Sequence, residues 1–293
     1  MQLFKSFAAS LLLLAVLPAS SQVLYKIEGN GLKQPSYIFG THHLAPTSII
    51  ETFGAEKPFE SATIVVGEID MTQNPMEMQM AMQPHMMAPA DSTLTKVLPA
   101  DKMPELNESF KKWAPMPGME LSMLDPMKPM VVTTMVTVGI TAKEVPDYDP
   151  NEQLDSWFQK TGATQDKKIV ALETAEQQAA LLFDFTPISL QAEALVELLT
   201  EPEKSVENAK TLTKAYMEQD LDAMMKLSQQ DDEHPEFMEA LLDKRNADWL
   251  TKLPAIFNEG STFVAVGALH LPGEKGVLEG LRKLGYTVTP LSK

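Results

Sequence analysis

The chain has 293 residues, a formal net charge of −16 and no cysteine. The lack of cysteine excludes disulfides, thiolate metal sites and lipid attachment through a thiol. So acidic a chain lacks the basic face that nucleic-acid phosphates require, and anionic lipid surfaces repel it.

Met1-Gln2-Leu3-Phe4-Lys5 opens the sequence, an apolar run from Phe7 to Leu17 follows, and Pro18-Ala19-Ser20-Ser21-Gln22 comes next. One basic residue, a short apolar run and small residues at Ala19 and Ser21 describe a secretory signal peptide over residues 1–21. The run falls short of the ~20 residues that span a bilayer, and no later stretch qualifies. The expected mature chain, 22–293, therefore carries no transmembrane segment and is exported, periplasmic or extracellular.

Strand signals follow in order. Residues 24–31 read as a hairpin arm. Runs 36–40, 62–69, 168–172 and 262–266 are rich in Ile, Val or Phe between polar or turn residues. Tyr286 opens a short run, 286–289, that reads as an edge strand. Residues 71–165 read mostly helical, with a buried helix over 121–137. Thr174-Ala175-Glu176-Gln177 fits a capping box opening a helix through Leu182. Segments 189–199, 205–218 and 220–227 are amphipathic, His234 starts a further helix, and 236–257 ends near Gly260 as a C-cap. The pattern predicts a single α/β domain with a central mixed β-sheet, built from two related halves with large helical insertions.

The most specific feature is a repeated motif. Tyr37-Ile38-Phe39 runs into Gly40-Thr41-His42-His43, and Phe263-Val264-Ala265-Val266 runs into Gly267-Ala268-Leu269-His270. These two Gly-x-x-His motifs hold three of the five histidines. Glycine at a strand end lets the chain turn tightly, and in open α/β sheets ligands bind at that edge. Two other strands lead into glutamates, Glu68 and Glu173. Along the chain the order is strand-GxxH, strand-Glu, strand-Glu, strand-GxxH, as two halves sharing one site would give.

His43, Glu68, Glu173 and His270 together offer imidazole and carboxylate donors. That set suits a divalent transition metal, Mn, Co, Zn or Fe, with open positions for water. The expected metal ligands are His43, His270 and Glu68; Glu68 is either a ligand or a general base, with Glu173 assisting. The plain alternative is that these histidines are hydrogen-bonded core or loop residues. Arg245 would clamp a substrate carboxylate or orient Glu68 or Glu173 through its fork of donors, unless it is simply exposed. His42 points away from His43 in an extended chain. The Met-rich tract 71–87, with His85, suggests an adaptable apolar surface at the site entrance, a loosely packed segment or a Cu(I) site. HExxH, GxSxG, Walker A and GxGxxG motifs are absent.

The ensemble resembles the TraB/GumN family. The residues that carry the likeness are Tyr25–Gly31, Pro35-Ser36-Tyr37-Ile38-Phe39-Gly40-Thr41-His42-His43-Leu44, Val66-Gly67-Glu68-Ile69-Asp70 and Leu172-Glu173-Thr174 through Gln178. Arg245-Asn246-x-x-Trp249, Gly267-Ala268-Leu269-His270-Leu271-x-Gly273 and Gly285-Tyr286-x-Val288 complete it. That family includes the Tiki proteins, metal-dependent proteases of extracellular protein ligands, and proteins that reduce the activity of secreted peptide pheromones. The resemblance implies that His43, His270 and Glu68 serve a metal-dependent peptidase site, with Glu173 and Arg245 at recurrent positions. Two departures stand out: Gln153-Leu154-Asp155 replaces the usual Gly-Leu-Asp, and His42 replaces an apolar residue. The resulting expectation is an exported metal-dependent peptidase acting on peptide or protein substrates. Its rivals are a peptide-sequestering binding protein and a metal-free hydrolase using His43 or His270 as base.

Overall fold

The computed structural model describes residues 22–144, 148–149, 152–229 and 235–292. The expected signal peptide and the helix start at His234 lie outside these residues.

Six strands form one sheet: β1 (Leu24–Gly29), β2 (Ser36–Thr41), β3 (Ile64–Gly67), β4 (Lys168–Ala171), β5 (Thr262–Gly267) and β6 (Tyr286–Pro290). Their spatial order is β4-β3-β5-β2-β1-β6. The neighbours among β2, β3, β4 and β5 pair in parallel, whereas β1 runs antiparallel to both β2 and β6. The β1–β2 turn is tight because Gly29, Asn30 and Gly31 all adopt positive φ (80°, 48° and 83°). Central β3 and β5 are buried along nearly their whole length, as parallel strands covered on both faces must be. The mirror order of the sequence becomes adjacency: the two GxxH strands are neighbours, and so are the two glutamate strands.

Aromatic rings weld this sheet to its helices. Phe158, on the Leu154–Thr164 helix, meets Phe263 at 4.7 Å and Phe39 at 5.3 Å between centroids. A second apolar cluster lies among the helical insertions. Leu106, Phe110 and Trp113 on the Met103–Trp113 helix pack with Val132, Val136 and Ile140, and with Leu195 and Leu199 on Ile188–Thr200. The expected buried helix at 121–137 is broken. Leu121–Leu124 is a short 3₁₀ turn, and the long helix is Pro129–Glu144. Pro126 and Pro129 explain the break, since a proline interrupts a helix and suits only its first turn. The capping box at Thr174 and Gln177 is formed, opening Ala175–Asp184. Gly260 ends the Arg245–Glu259 helix in extended backbone (φ 174°), not in the left-handed conformation expected of a glycine cap. Among the described residues no single helix is long and apolar enough to cross a membrane.

Candidate active site

Because β2, β3, β4 and β5 are parallel, their C-terminal ends share one edge of the sheet. That edge carries His42 and His43 after β2, Glu68 after β3, Glu173 after β4, and His270 on the 3₁₀ turn Ala268–His270 after β5. Gly40 allows the two GxxH loops to close on one another. A Cβ there would sit 2.8 Å from Leu271 Cδ1 and 3.0 Å from Ala268 Cα.

Arg245 organises the cluster. Its Nε donates to Glu173 Oε2 at 3.0 Å, and Nη2 donates to Glu173 Oε1 and, at 2.6 Å, to Glu68 Oε2. Nη1 donates to the Leu241 carbonyl and to His270 Nε2, each at 3.0 Å. Every guanidinium N–H is thus engaged, and the Trp249 ring lies 4.8 Å from Arg245 Cζ. Gln178 Nε2 donates to both carboxylates at 3.1 Å. The remaining Glu68 oxygen, Oε1, accepts from the Gly267 N–H at 2.8 Å.

These contacts fix the tautomer of His270. Arginine has no acceptor, so His270 Nε2 must carry the lone pair and Nδ1 the proton. Nδ1 meets Asn246 Oδ1 at 2.7 Å, and the Asn246 amide is oriented by donating Nδ2 to the Lys275 carbonyl at 3.1 Å. Burial, reinforced by Arg245, pushes the His270 pKa down to about 4 against the pull of Glu68, so the ring is neutral at pH 7. Burial pushes Glu68 up, but His270, Arg245 and the Gly267 N–H outweigh it and bring its pKa to about 2. With His270 neutral near pH 7, Arg245 and Gly267 are what hold the anion there.

His43 stands apart in character. Its side chain is 65 % exposed, and Nδ1 lies 3.1 Å from Asp155 Oδ2. The Asp155 charge raises its pKa to about 9. His42 takes partners of its own: Nε2 lies 3.2 Å from Thr213 Oγ1 and the ring packs 5.0 Å from Tyr216. Burial lowers its pKa to about 4.

A cavity of about 320 Å³ joins these groups. His42, His43, Glu68, Arg245 and His270 form its polar side, and leucines such as Leu182, Leu212 and Leu241 form the apolar side. Glu173 lies behind Arg245 and does not line it. The Met-rich tract does not line it either. Its helix, Pro75–Met86, leaves Met76 and Met80 exposed, while Met82 and Met86 pack against Val131, Ala179 and Phe183. His85 pairs with Asp184, which also binds Lys128.

The structure thus gathers His43, Glu68, Glu173, Arg245 and His270 at one edge. The motifs carry Asp155, Asn246 and Gln178 without revealing a role for them: Asp155 stands in Gln153-Leu154-Asp155, Asn246 beside Arg245, and Gln178 at the end of the Leu172–Gln178 segment. Among the described residues, no three His, Asp or Glu side chains converge in a metal-holding group. Two observations still bear on whether a cation fits. His270 Nε2 and Glu68 Oε1 are 3.8 Å apart. A Cβ on Gly267 would come within 3.3 Å of Glu68 Oε1 and 3.5 Å of His270 Cδ2, so glycine keeps the space beside this pair open.

A mixed α/β sheet with paired Gly-x-x-His loops and half-buried glutamates at its parallel edge defines the class of fold and site. The chain belongs to the TraB/PrgY/gumN family, which it matches over residues 23–290. Comparison with curated proteins and with solved structures gives no match.

Proposed function

We propose that the chain is an exported hydrolase that cleaves peptide bonds in peptide or protein substrates with the help of a divalent transition metal, Mn, Co, Zn or Fe. The observation that carries this reading is His270. Its Nδ1 proton is committed to Asn246, leaving Nε2 beside Glu68 Oε1. An oxygen acceptor behind Nδ1 is how metal-binding imidazoles are oriented. The donors suit such an ion: His270 Nε2, Glu68 Oε1 and a nitrogen of His43 would hold it once Arg245 Nη1 yields its place on Nε2. The ion would lower the pKa of a bound water and polarise the scissile carbonyl.

The protein's own groups divide the remaining work. A carboxylate with a pKa of about 2 is a poor proton acceptor near pH 7, which favours Glu68 as ligand over general base. Glu173 acts through Arg245, holding the guanidinium against Glu68. The leucine wall excludes water and meets the apolar parts of an extended substrate.

A second reading, a metal-free hydrolase, draws on the Asp155–His43 contact. A carboxylate behind one ring nitrogen prepares the other for proton transfer. With its pKa raised to about 9 the His43 ring is protonated near pH 7, so it would serve as acid there and as base only at higher pH. Mass spectrometry of a peptide library separates the readings. Cleavage stimulated by Mn²⁺ or Co²⁺ supports the first, and chelator-insensitive cleavage the second. Retention of peptide without cleavage makes the protein a binder.

A further inference from the structure

We infer that Asp155 is the positioning residue of His43, turning Nδ1 toward itself so that Nε2 is the nitrogen left for chemistry. Neither Gly-x-x-His motif contains it. It arrives in the first turn of the Leu154–Thr164 helix, which is locked to the segment that follows β3. Gln159 on that helix donates Nε2 to the Ile69 carbonyl at 3.0 Å and accepts from the Met71 N–H at 2.9 Å. Phe158 sits in the aromatic core. The carboxylate is therefore held by a rigid element.

Its two oxygens are used unequally. Oδ1 accepts from Thr41 Oγ1 at 2.7 Å, and Thr41 is the last residue of β2, two before His43. Oδ2 is buried and makes no hydrogen bond within the geometry that such a bond requires. A buried carboxylate oxygen left in that state costs free energy, so it points to a donor. The neighbour that can supply one is His43 Nδ1, at 3.1 Å, needing only a small ring rotation. His43 is mostly exposed, so little else constrains its ring. Without Asp155 either nitrogen could face the cavity. With it, the same half of the ring is always turned in, as a carboxylate does for metal-bound or general-base imidazoles.

The rate effect rests on the proposed hydrolysis, whereas the ring orientation does not. The test uses the full chain, free of metal and labelled with ¹⁵N-histidine, with the His43 resonances assigned by their loss in His43→Gln. Long-range ¹⁵N–¹H spectra at alkaline pH report which nitrogen keeps the proton in the neutral ring. The wild type is expected to keep it on Nδ1. Asp155→Ala should shift it to Nε2, the form that free histidine favours, and kcat on a cleaved peptide should fall about 10–100-fold with KM little changed. Thr41→Val, which loosens the carboxylate without deleting it, should give a mixture of the two forms, while Thr41→Ser retains Nδ1–H. If Asp155→Ala does not fold, the two threonine variants decide the matter alone. An unchanged ring in Asp155→Ala, or in Thr41→Val where that variant decides, overturns the inference even if the rate falls. A wild type that cleaves no peptide defeats the proposed hydrolysis and leaves the ring assignment to be judged by its own spectra.

Discussion

Arg245 spends all of its donors inside the protein, and this decides what it can do. It cannot also clamp a substrate carboxylate without releasing Glu68, Glu173 or His270. Lysine carries the charge but not the planar fork, so it cannot serve two carboxylates and an imidazole together. Arg245→Lys should therefore behave as a broken buried pair and destabilise the fold by about 3–5 kcal/mol. Urea unfolding at pH 7 measures this, and a loss below about 1 kcal/mol would show the fork to be replaceable. Glu68→Gln addresses the neighbouring carboxylate. Its Oε1 faces the Gly267 N–H and its Oε2 faces Arg245 and Gln178, so every partner is a donor. An amide brings its own N–H₂ against one of those sets. Metal binding and turnover should fall together; retained metal with lost turnover would make Glu68 the base instead. The motif residues were legible in the sequence because glycine and histidine at strand ends have few structural uses. Asp155 and Asn246 were not legible as site residues. Each reaches its histidine through the phase of a helix, and nothing in local spacing reveals that.

Helix phase is the theme at the element scale. Directly before Arg245 the chain forms a π-helical turn, Glu239–Lys244, flanked by Pro235–Met238 and Arg245–Glu259. The sequence reads this stretch as one continuous helix because its apolar periodicity is nearly unbroken. A π turn adds a residue without ending the helix, and such turns are frequent at functional sites. Here it frees the Leu241 carbonyl to accept from the Arg245 side chain and sets Arg245, Asn246 and Trp249 toward His270. The strands were read well because parallel, doubly covered strands are short continuous apolar runs. The Met-rich helix stays ambiguous in the sequence for the opposite reason: methionine suits both a ligand surface and a loose core. Its two faces now predict different outcomes. Met76→Ser and Met80→Ser should change stability by less than about 0.5 kcal/mol. Met82→Ser removes an apolar contact to the Ala179–Phe183 cluster and should cost about 1–2 kcal/mol, as thermal melts of the single variants will show.

At the scale of the whole molecule, the site's charges make stability depend on pH in a defined way. This holds for chelator-treated protein, since a bound ion would change the titrations. His270 has a pKa of about 4 in the fold against an ordinary 6.5, so between those values the unfolded chain binds a proton that the folded chain refuses. Stability then falls as pH drops from 6.5 toward 4, by an amount on the order of 3 kcal/mol. His42, also lowered to about 4, adds to the same limb. Glu68, brought from 4.5 to about 2, extends the loss as pH falls through that lower window. His43 acts in the opposite direction. Raised from 6.5 to about 9, it keeps a proton that the unfolded chain has released, so its contribution is complete below pH 6.5 and is lost as pH rises through about 9. Because its side chain is 65 % exposed, solvent screening makes this alkaline limb the shallower of the two. Melting temperatures of chelator-treated protein from pH 3 to 10 should peak near pH 6.5, falling steeply on the acid side and gently on the alkaline side. In Asp155→Asn the contribution of the His43 proton should vanish while the acid limb remains. Added Mn²⁺ or Co²⁺ should lift the alkaline side most, because imidazole ligands must be deprotonated to bind. A chelator-treated wild type whose melting temperature climbs steadily from pH 6.5 to 9 would show that His43 gains no proton from Asp155, and the ion pair would then contribute nothing in solution.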